Sequence, residues 1–258
     1  MINQPNERIY RLEESPLHLE IKDSMVETLG RASQRNVPLF LTGGISASLL
    51  SHEQWPTEVR PLSKDLDFLV AGDDATRAAL EAEFDSKFKL NTGKAIFKSD
   101  KLQSHATNGV ELDFIASSNI VHEDASLAVT LSPLALAHAQ KEAFLGVEVS
   151  TLPAELIAIQ KLFAGRGADL GKFDLLDAES MIRSGCISPD MFRLFLHDLT
   201  TEGTHRLAVA ARLTKSIGRL SSNLDTKTLL EAINDSGSSA NVTTTSESVR
   251  NEIAELDV

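Results

Sequence analysis

Cysteine is almost absent: Cys186 stands alone in 258 residues. A single thiol excludes a disulfide framework and any cysteine-rich zinc site. Aromatic residues are scarce as well, with one tryptophan, Trp55, and one tyrosine, Tyr10, and they offer no stacking platform for single-stranded nucleic acid. Positive charge is in deficit. Lys and Arg number 25 against 37 Asp and Glu, a formal net charge of -12. Extended, non-specific binding of nucleic acid is therefore not expected, because its electrostatic footprint needs an excess of cations. Long apolar runs are missing too, and none approaches the roughly 20 residues of a membrane span. The opening MINQPNERIYRLEE has no apolar core of a secretory leader. The expectation is a cytoplasmic protein with no membrane partner. The histidines show no metal-ligand spacing, and Cys186 has no nearby base in sequence.

What remains is an ordinary globular composition, 42% hydrophobic and 24% charged. Residues 1–15 read as a loose arm. From Pro16, Leu17, Ile21, Met25 and Leu29 recur at helical steps, and Pro38 sets an end near Asn36. The run Pro38–Thr42 reads as a buried strand closed by Gly43-Gly44, with a helix after it. Residues 51–63 form a polar loop, and Lys64–Val70 alternates as a strand. Asp73-Asp74 then caps a helix through about Phe84. Strands follow across 87–118, the clearest holding Glu111-Leu112-Asp113-Phe114. Pro153 opens an apolar helix through Leu162 at a first-turn position. Further helices are predicted at about 173–183, 189–199, 204–220 and 226–234. The fold class is α/β: a mixed sheet with flanking helices over 1–150, followed by an all-helical module over 151–258. The tail after 235 is rich in Ser, Thr and Asn and is expected to be mobile.

The chemistry concentrates in a few residues. Asp65 and Asp67 share one face of a strand, while Leu66 and Phe68 take the other. Adjacent carboxylates repel unless a cation lies between them. If the strand bearing Asp113 is a neighbour, three carboxylates converge. Hard oxygen donors suit Mg²⁺ or Mn²⁺ rather than zinc, and two such ions clamp a triphosphate. Gly43 and Gly44, between strand and helix, let backbone N–H groups approach a phosphate, with Ser46 as a further donor. Lys161 reads either as a lysine on the wet face of its helix or as one that reaches a phosphate. Arg166 reads as a helix C-terminal cap or a second phosphate contact. Asp174 and Asp177, three apart on one helix face, read either as orienters of Lys161, Arg166 or the substrate base or as an acidic first turn. Arg60 and Ser63 brace the approach to Asp65 or belong to a plain surface loop.

Leu41-Thr42-Gly43-Gly44-Ile45-Ser46 followed by Arg60-Pro61-Leu62-Ser63-Lys64-Asp65-Leu66-Asp67-Phe68 resembles the DNA polymerase β-type nucleotidyltransferase superfamily. Within it, the pattern is similar to the AbiEii-type nucleotidyltransferases, which include toxins of type IV toxin–antitoxin systems. The segment Leu156–Arg166, then Lys172, Asp174 and Asp177, resembles the region after that family's catalytic module. The resemblance implies transfer of a nucleoside monophosphate from an NTP to a hydroxyl of RNA or protein, with Mg²⁺ or Mn²⁺ and release of pyrophosphate. It makes Asp65, Asp67 and Asp113 the catalytic and metal-binding carboxylates. Gly43, Gly44, Ser46, Lys161, Arg166 and Asp174 become the nucleotide-binding residues, and a cognate antitoxin the partner. Two other functions stay open: transfer to a small cationic acceptor of the aminoglycoside kind, and a non-catalytic nucleotide- or partner-binding module.

Overall fold

A computed structural model describes residues 16–51, 64–91, 96–170, 172–200 and 204–237. The expected N-terminal arm, Arg60 and Ser63, and the end of the chain from 238 lie outside the described residues. In chain order the elements are α1 (Pro16–Gln34), β1 (Phe40–Leu41), α2 (Gly43–Leu50), β2 (Asp65–Leu69), α3 (Asp74–Phe84), β3 (Phe88–Asn91) and β4 (Phe97–His105). They continue as β5 (Glu111–Val121), β6 (Ser126–Val129), α4 (Pro133–Ala137), β7 (Gln140–Phe144) and β8 (Val147–Thr151). Helices α5 (Ala154–Ala164), α6 (Asp174–Ser184), α7 (Pro189–Leu199), α8 (Thr204–Ile217) and α9 (Lys227–Gly237) complete the fold.

The alternation in β2 organises the molecule. Leu66 and Phe68 point to one face of the sheet and are fully buried with Leu112 and Phe114 of β5. The Phe68 and Phe114 rings stack at 6.0 Å, and Phe84 of α3 lies 4.5 Å from Phe114. Helices α1 and α3 cover this face, contributing Ile21, Met25 and Leu80. Asp73 caps α3 by accepting from the Thr76 N–H at 2.8 Å, as its sequence predicts.

The sheet runs β3-β4-β5-β2-β1-β8-β7, with β6 alongside β5. Strands β2 and β5 are parallel, as are β1 and β8, and the other pairs are antiparallel. Strand β5 is long enough to take two successive neighbours on one edge, β2 at residues 111–115 and β6 at 118–121. The opposite face of the sheet meets α2 and the helices from α5 onward. Leu69, Ile120, Leu127 and Val129 share one core there with Leu156, Phe163, Phe195 and Leu213. The fold is therefore a mixed α/β sheet with flanking helices and a helical C-terminal part, the helices sharing their core with the sheet.

Several boundaries differ from expectation. Helix α2 begins at Gly43 itself, and Pro153 stands just outside α5 at its N-cap. Helix α8 stops at Ile217. The stretch between Val121 and Phe144 carries β6, α4 and β7, elements too short to show a period. Among the described residues no helix is long and apolar enough to cross a membrane.

Candidate active site

The second face of β2 carries Asp65 and Asp67. In the parallel ladder Asp67 lies opposite Asp113, and Asp65 opposite Glu111. Strand pairing therefore sets the third carboxylate beside the first two across chain positions far apart in sequence. Asp113 is 7% exposed, whereas Glu111 is exposed and accepts from Gln103 Nε2 at 2.9 Å. On the next strand out, Lys101 of β4 forms a short ion pair with Asp113 Oδ2. Asp113 Oδ1 is buried with no hydrogen-bond partner among the described residues. Burial, and then the charges of Asp65 and Asp113, push the Asp67 carboxyl up to about 7, against the opposing pull of Lys161 and Lys101.

The glycine turn presses directly on this cluster. The Thr42 N–H donates to the Asp67 carbonyl at 2.9 Å, tying the end of β1 to β2. Gly43 then takes φ 69 and starts α2. A Cβ on Gly43 would lie 2.1 Å from Asp67 Oδ2, so any side chain here would have to push the carboxylate or the helix aside and would carry a strained dihedral as well. The Thr42 side chain makes no capping bond to α2. The start of α2 thus stands at the cleft wall with its favourable field for anions. Gly43 and Gly44 line the cleft. Ser46 does not: one helical turn on, it is fully buried on the core side, its hydroxyl without a partner among the described residues. A direct phosphate contact from Ser46 is not what this arrangement offers.

The roof comes from α5, α6 and the segment between them. Lys161 Nζ lies 3.2 Å from Asp174 Oδ1 and 2.8 Å from Asp177 Oδ2, and Arg166 Nε lies 2.6 Å from Asp174 Oδ2. Burial alone would raise the Asp174 carboxyl. The Lys161 charge and the Arg166 guanidinium outweigh it and hold the group below its ordinary value. The guanidinium of Arg166 also sits 4.7 Å above the Phe97 ring. Lys161 is not on a wet face, because nearly all of α5 is buried. The structure thus brings Lys161, Arg166, Asp174 and Asp177 together opposite Asp65, Asp67 and Asp113 around one cleft of about 350 Å³.

Along the sheet the floor changes character. Past the carboxylates it becomes Leu69, Ile115 and Val129, with Phe97 and a Ser99–Ser118 hydroxyl pair at 2.9 Å. Gln160 hangs over the cleft from α5, and its Nε2 is buried without a partner among the described residues. Sequence reasoning missed Lys101, Gln160 and Phe97. The β-bulge opposite Asp100 and Lys101 puts its extra residue, Ala116, on β5, so the side of β5 that Lys101 meets is not read off by simple alternation, and Gln160 looks like any polar residue in an apolar helix. A lysine in the strand next to Asp113 was the available signal for Lys101.

No protein-family model and no curated protein matches the sequence. Among solved structures the chain is similar to the lincosamide antibiotic adenylyltransferase LnuA with lincomycin bound, at 13% identity and a TM-score of 0.38, over 62% of this chain and 94% of that one. It is similar to ANT(2")-Ia in complex with adenylyl-2"-tobramycin, at 13% identity and 0.43, over 75% and 98%. It is likewise similar to an antigenic nucleotidyltransferase-like protein from Paracoccidioides brasiliensis, at 13% and 0.43, over 84% and 92%. Likeness at this level carries no functional inference, and the site stands on its own geometry.

The donor set suits a hard divalent cation in its chemistry: carboxylate oxygens throughout, one of them buried and unmatched, and one carboxyl whose charge the site penalises. Among the described residues, however, no group of three or more His, Cys, Asp or Glu side chains is arranged to hold a metal ion as it stands. Lys101 occupies one oxygen of Asp113. Cys186 donates to the Met181 carbonyl at 3.3 Å, and burial pushes its thiol up, which suits a packed rather than a reactive thiol.

Proposed function

We propose that the chain is a metal-dependent nucleotidyltransferase. The observation that carries this reading is the parallel register that sets Asp67 beside Asp113, under a helix start pressed on Asp67 through Gly43. Phosphoryl transfer asks a protein mainly for positioning and charge stabilisation. Gly43, Gly44 and the start of α2 receive the outer phosphates, while Lys161 and Arg166, held by Asp174 and Asp177, face them from the roof. Leu69, Ile115, Phe97 and Val129 offer the apolar surface on which a base rests. Asp65, Asp67 and Asp113 would hold Mg²⁺ or Mn²⁺, two ions in the full complex. Once bound, such ions neutralise the triphosphate and make an attacking hydroxyl more acidic. Asp113 would act near the incoming hydroxyl and take its proton on Oδ1, the oxygen that Lys101 leaves unmatched. The acceptor oxygen bonds to the α-phosphorus, the bond to the bridging oxygen breaks, and pyrophosphate leaves with that electron pair.

The division of labour at residue 150 belongs to the same proposal. The module over 1–150 brings the carboxylates and the glycines, and the one over 151–258 brings Lys161, Arg166 and Asp174. By the resemblance, the acceptor is RNA or protein and the setting is a cytoplasmic toxin with an antitoxin. A small cationic acceptor is the second reading, favoured by the net charge of -12, which attracts cations.

The test is incorporation of label from each of the four α-labelled NTPs in cell extract with Mg²⁺ or Mn²⁺. Loss of label in Asp65→Ala and Asp67→Ala is the expected result, and migration on a gel separates RNA from protein acceptors. Label confined to small molecules selects the second reading. Metal-dependent NTP binding without turnover on any acceptor selects a binding module, and no NTP binding at all refutes the proposal.

A further inference from the structure

Lys101 has no role in the scheme above, yet it sits at its centre. Its side chain is 17% exposed, its ammonium group is paired with Asp113 Oδ2, and its charge also acts on Asp67. The other oxygen of Asp113 is buried and unmatched. Asp113 is thus half satisfied: one lone-pair set is taken by a cation that belongs to the chain, and the other waits. Around it, Asp65 and Asp67 add charge that Lys101 alone does not balance.

We infer that Lys101 is a built-in stand-in for the divalent cation, holding the carboxylates together in the metal-free protein and moving to the nucleotide when metal and NTP load together. This rests on the nucleotidyltransferase reading and adds a positioning residue to it. The geometry gives the two halves of the exchange. A cation that takes Asp113 Oδ2 must displace the Lys101 ammonium, so metal alone competes with the ion pair. The displaced ammonium stays within the cleft, which Lys101 lines together with Gly43, Lys161 and Arg166. A triphosphate there offers it new oxygen partners. Metal alone therefore binds weakly, and metal with NTP binds well. The lysine couples the two ligands, and coupling of this kind is reciprocal.

Removing the lysine has opposite effects on the two ligands, which a merely structural lysine does not produce. In Lys101→Met, Mn²⁺ alone, followed by electron paramagnetic resonance titration of the free ion, should bind at least about tenfold more tightly, the scale of one close charge pair. A non-hydrolysable NTP analogue titrated at saturating Mn²⁺ should bind about tenfold more weakly. Thermal denaturation of the metal-free variant should occur at lower temperature, with a larger rise on adding Mn²⁺ than in the parent protein. Lys101→Arg keeps the charge and should keep both parent affinities within about threefold; if the methionine variant does not fold, Lys101→Gln takes its place with the same expected shifts. Unchanged or weaker Mn²⁺ binding in Lys101→Met, or the same direction of change for both ligands, overturns the inference. If the parent protein binds no Mn²⁺ that Asp67→Asn abolishes, the underlying nucleotidyltransferase reading fails instead.

Discussion

A single methyl group at residue 43 tests the site from the backbone side. In Gly43→Ala the new Cβ lies 2.1 Å from Asp67 Oδ2 and 2.9 Å from Asp67 Cγ, where real contacts stay beyond 3.0 Å. The residue also keeps φ 69, which costs a non-glycine residue about 1–3 kcal/mol. The clash is relieved when the Asp67 carboxylate, or the start of α2, retreats by roughly 1 Å, a displacement that costs on the order of 100-fold in a positioned reaction. Gly109→Ala separates the two effects. It has φ 89 and no neighbour within 4 Å of an added Cβ, so it carries backbone strain alone. Both variants should lose stability, by about 2–4 °C in Tm per kcal/mol. Only Gly43→Ala should lose Mn²⁺-dependent NTP binding and label transfer by about 100-fold. Parent-like nucleotide binding in Gly43→Ala would refute the claim that this glycine sets the approach of helix and carboxylate.

Asp67 gives the metal-free protein an unusual pH dependence. Its folded carboxyl titrates near 7 against an ordinary 3.8, so between these values the folded state holds a proton that the unfolded state has released. Stability from this group is thus greatest below about 3.8 and is lost as pH rises through about 7. Urea unfolding between pH 5 and 8 should show that decline, and Asp67→Asn should remove it; a parent slope equal to that of the variant contradicts the assignment. Lys161→Met removes the cation paired with both Asp174 and Asp177, which are 3% and 1% exposed, and should cost about 3 kcal/mol in urea unfolding, the lower end for a broken buried pair because Arg166 still holds Asp174. Adding Asp177→Asn should recover part of the loss, since the groups share one network. Strict additivity speaks against that network.

Much of this was legible in the residues. The alternation of Asp65-Leu66-Asp67-Phe68 announces a strand with a charged and a greasy side, and the structure buries Leu66 and Phe68 completely. The pair Gly43-Gly44 marks a turn into a helix, because the preceding run is apolar and the following one helical. What the sequence left conditional was the neighbour of that strand. Placing Asp113 beside Asp67 depends on a parallel pairing across β3 and β4, and no local pattern encodes it. Lys101 was hidden in a strand polar on both sides, Phe97 by its place at that strand's start, and Gln160 by the generic look of one amide in an apolar helix. Ser46 misled for the opposite reason. Proximity in sequence to the glycines suggested proximity in space, but the helical rotation carries its side chain into the core.

Strand β1 is only two residues long, yet it bonds to β2 on one side and to β8 on the other, with Leu41 registered to both Phe68 and Thr151. The glycine turn that follows is therefore clasped by a segment from early in the chain and by one emerging only after residue 147. A growing polypeptide on the ribosome has no clasp until β8 leaves the exit tunnel, and no roof until Lys161 and Asp174 follow it. The cleft is thus complete only once β1, β8 and the segment bearing Lys161, Asp174 and Asp177 are all present.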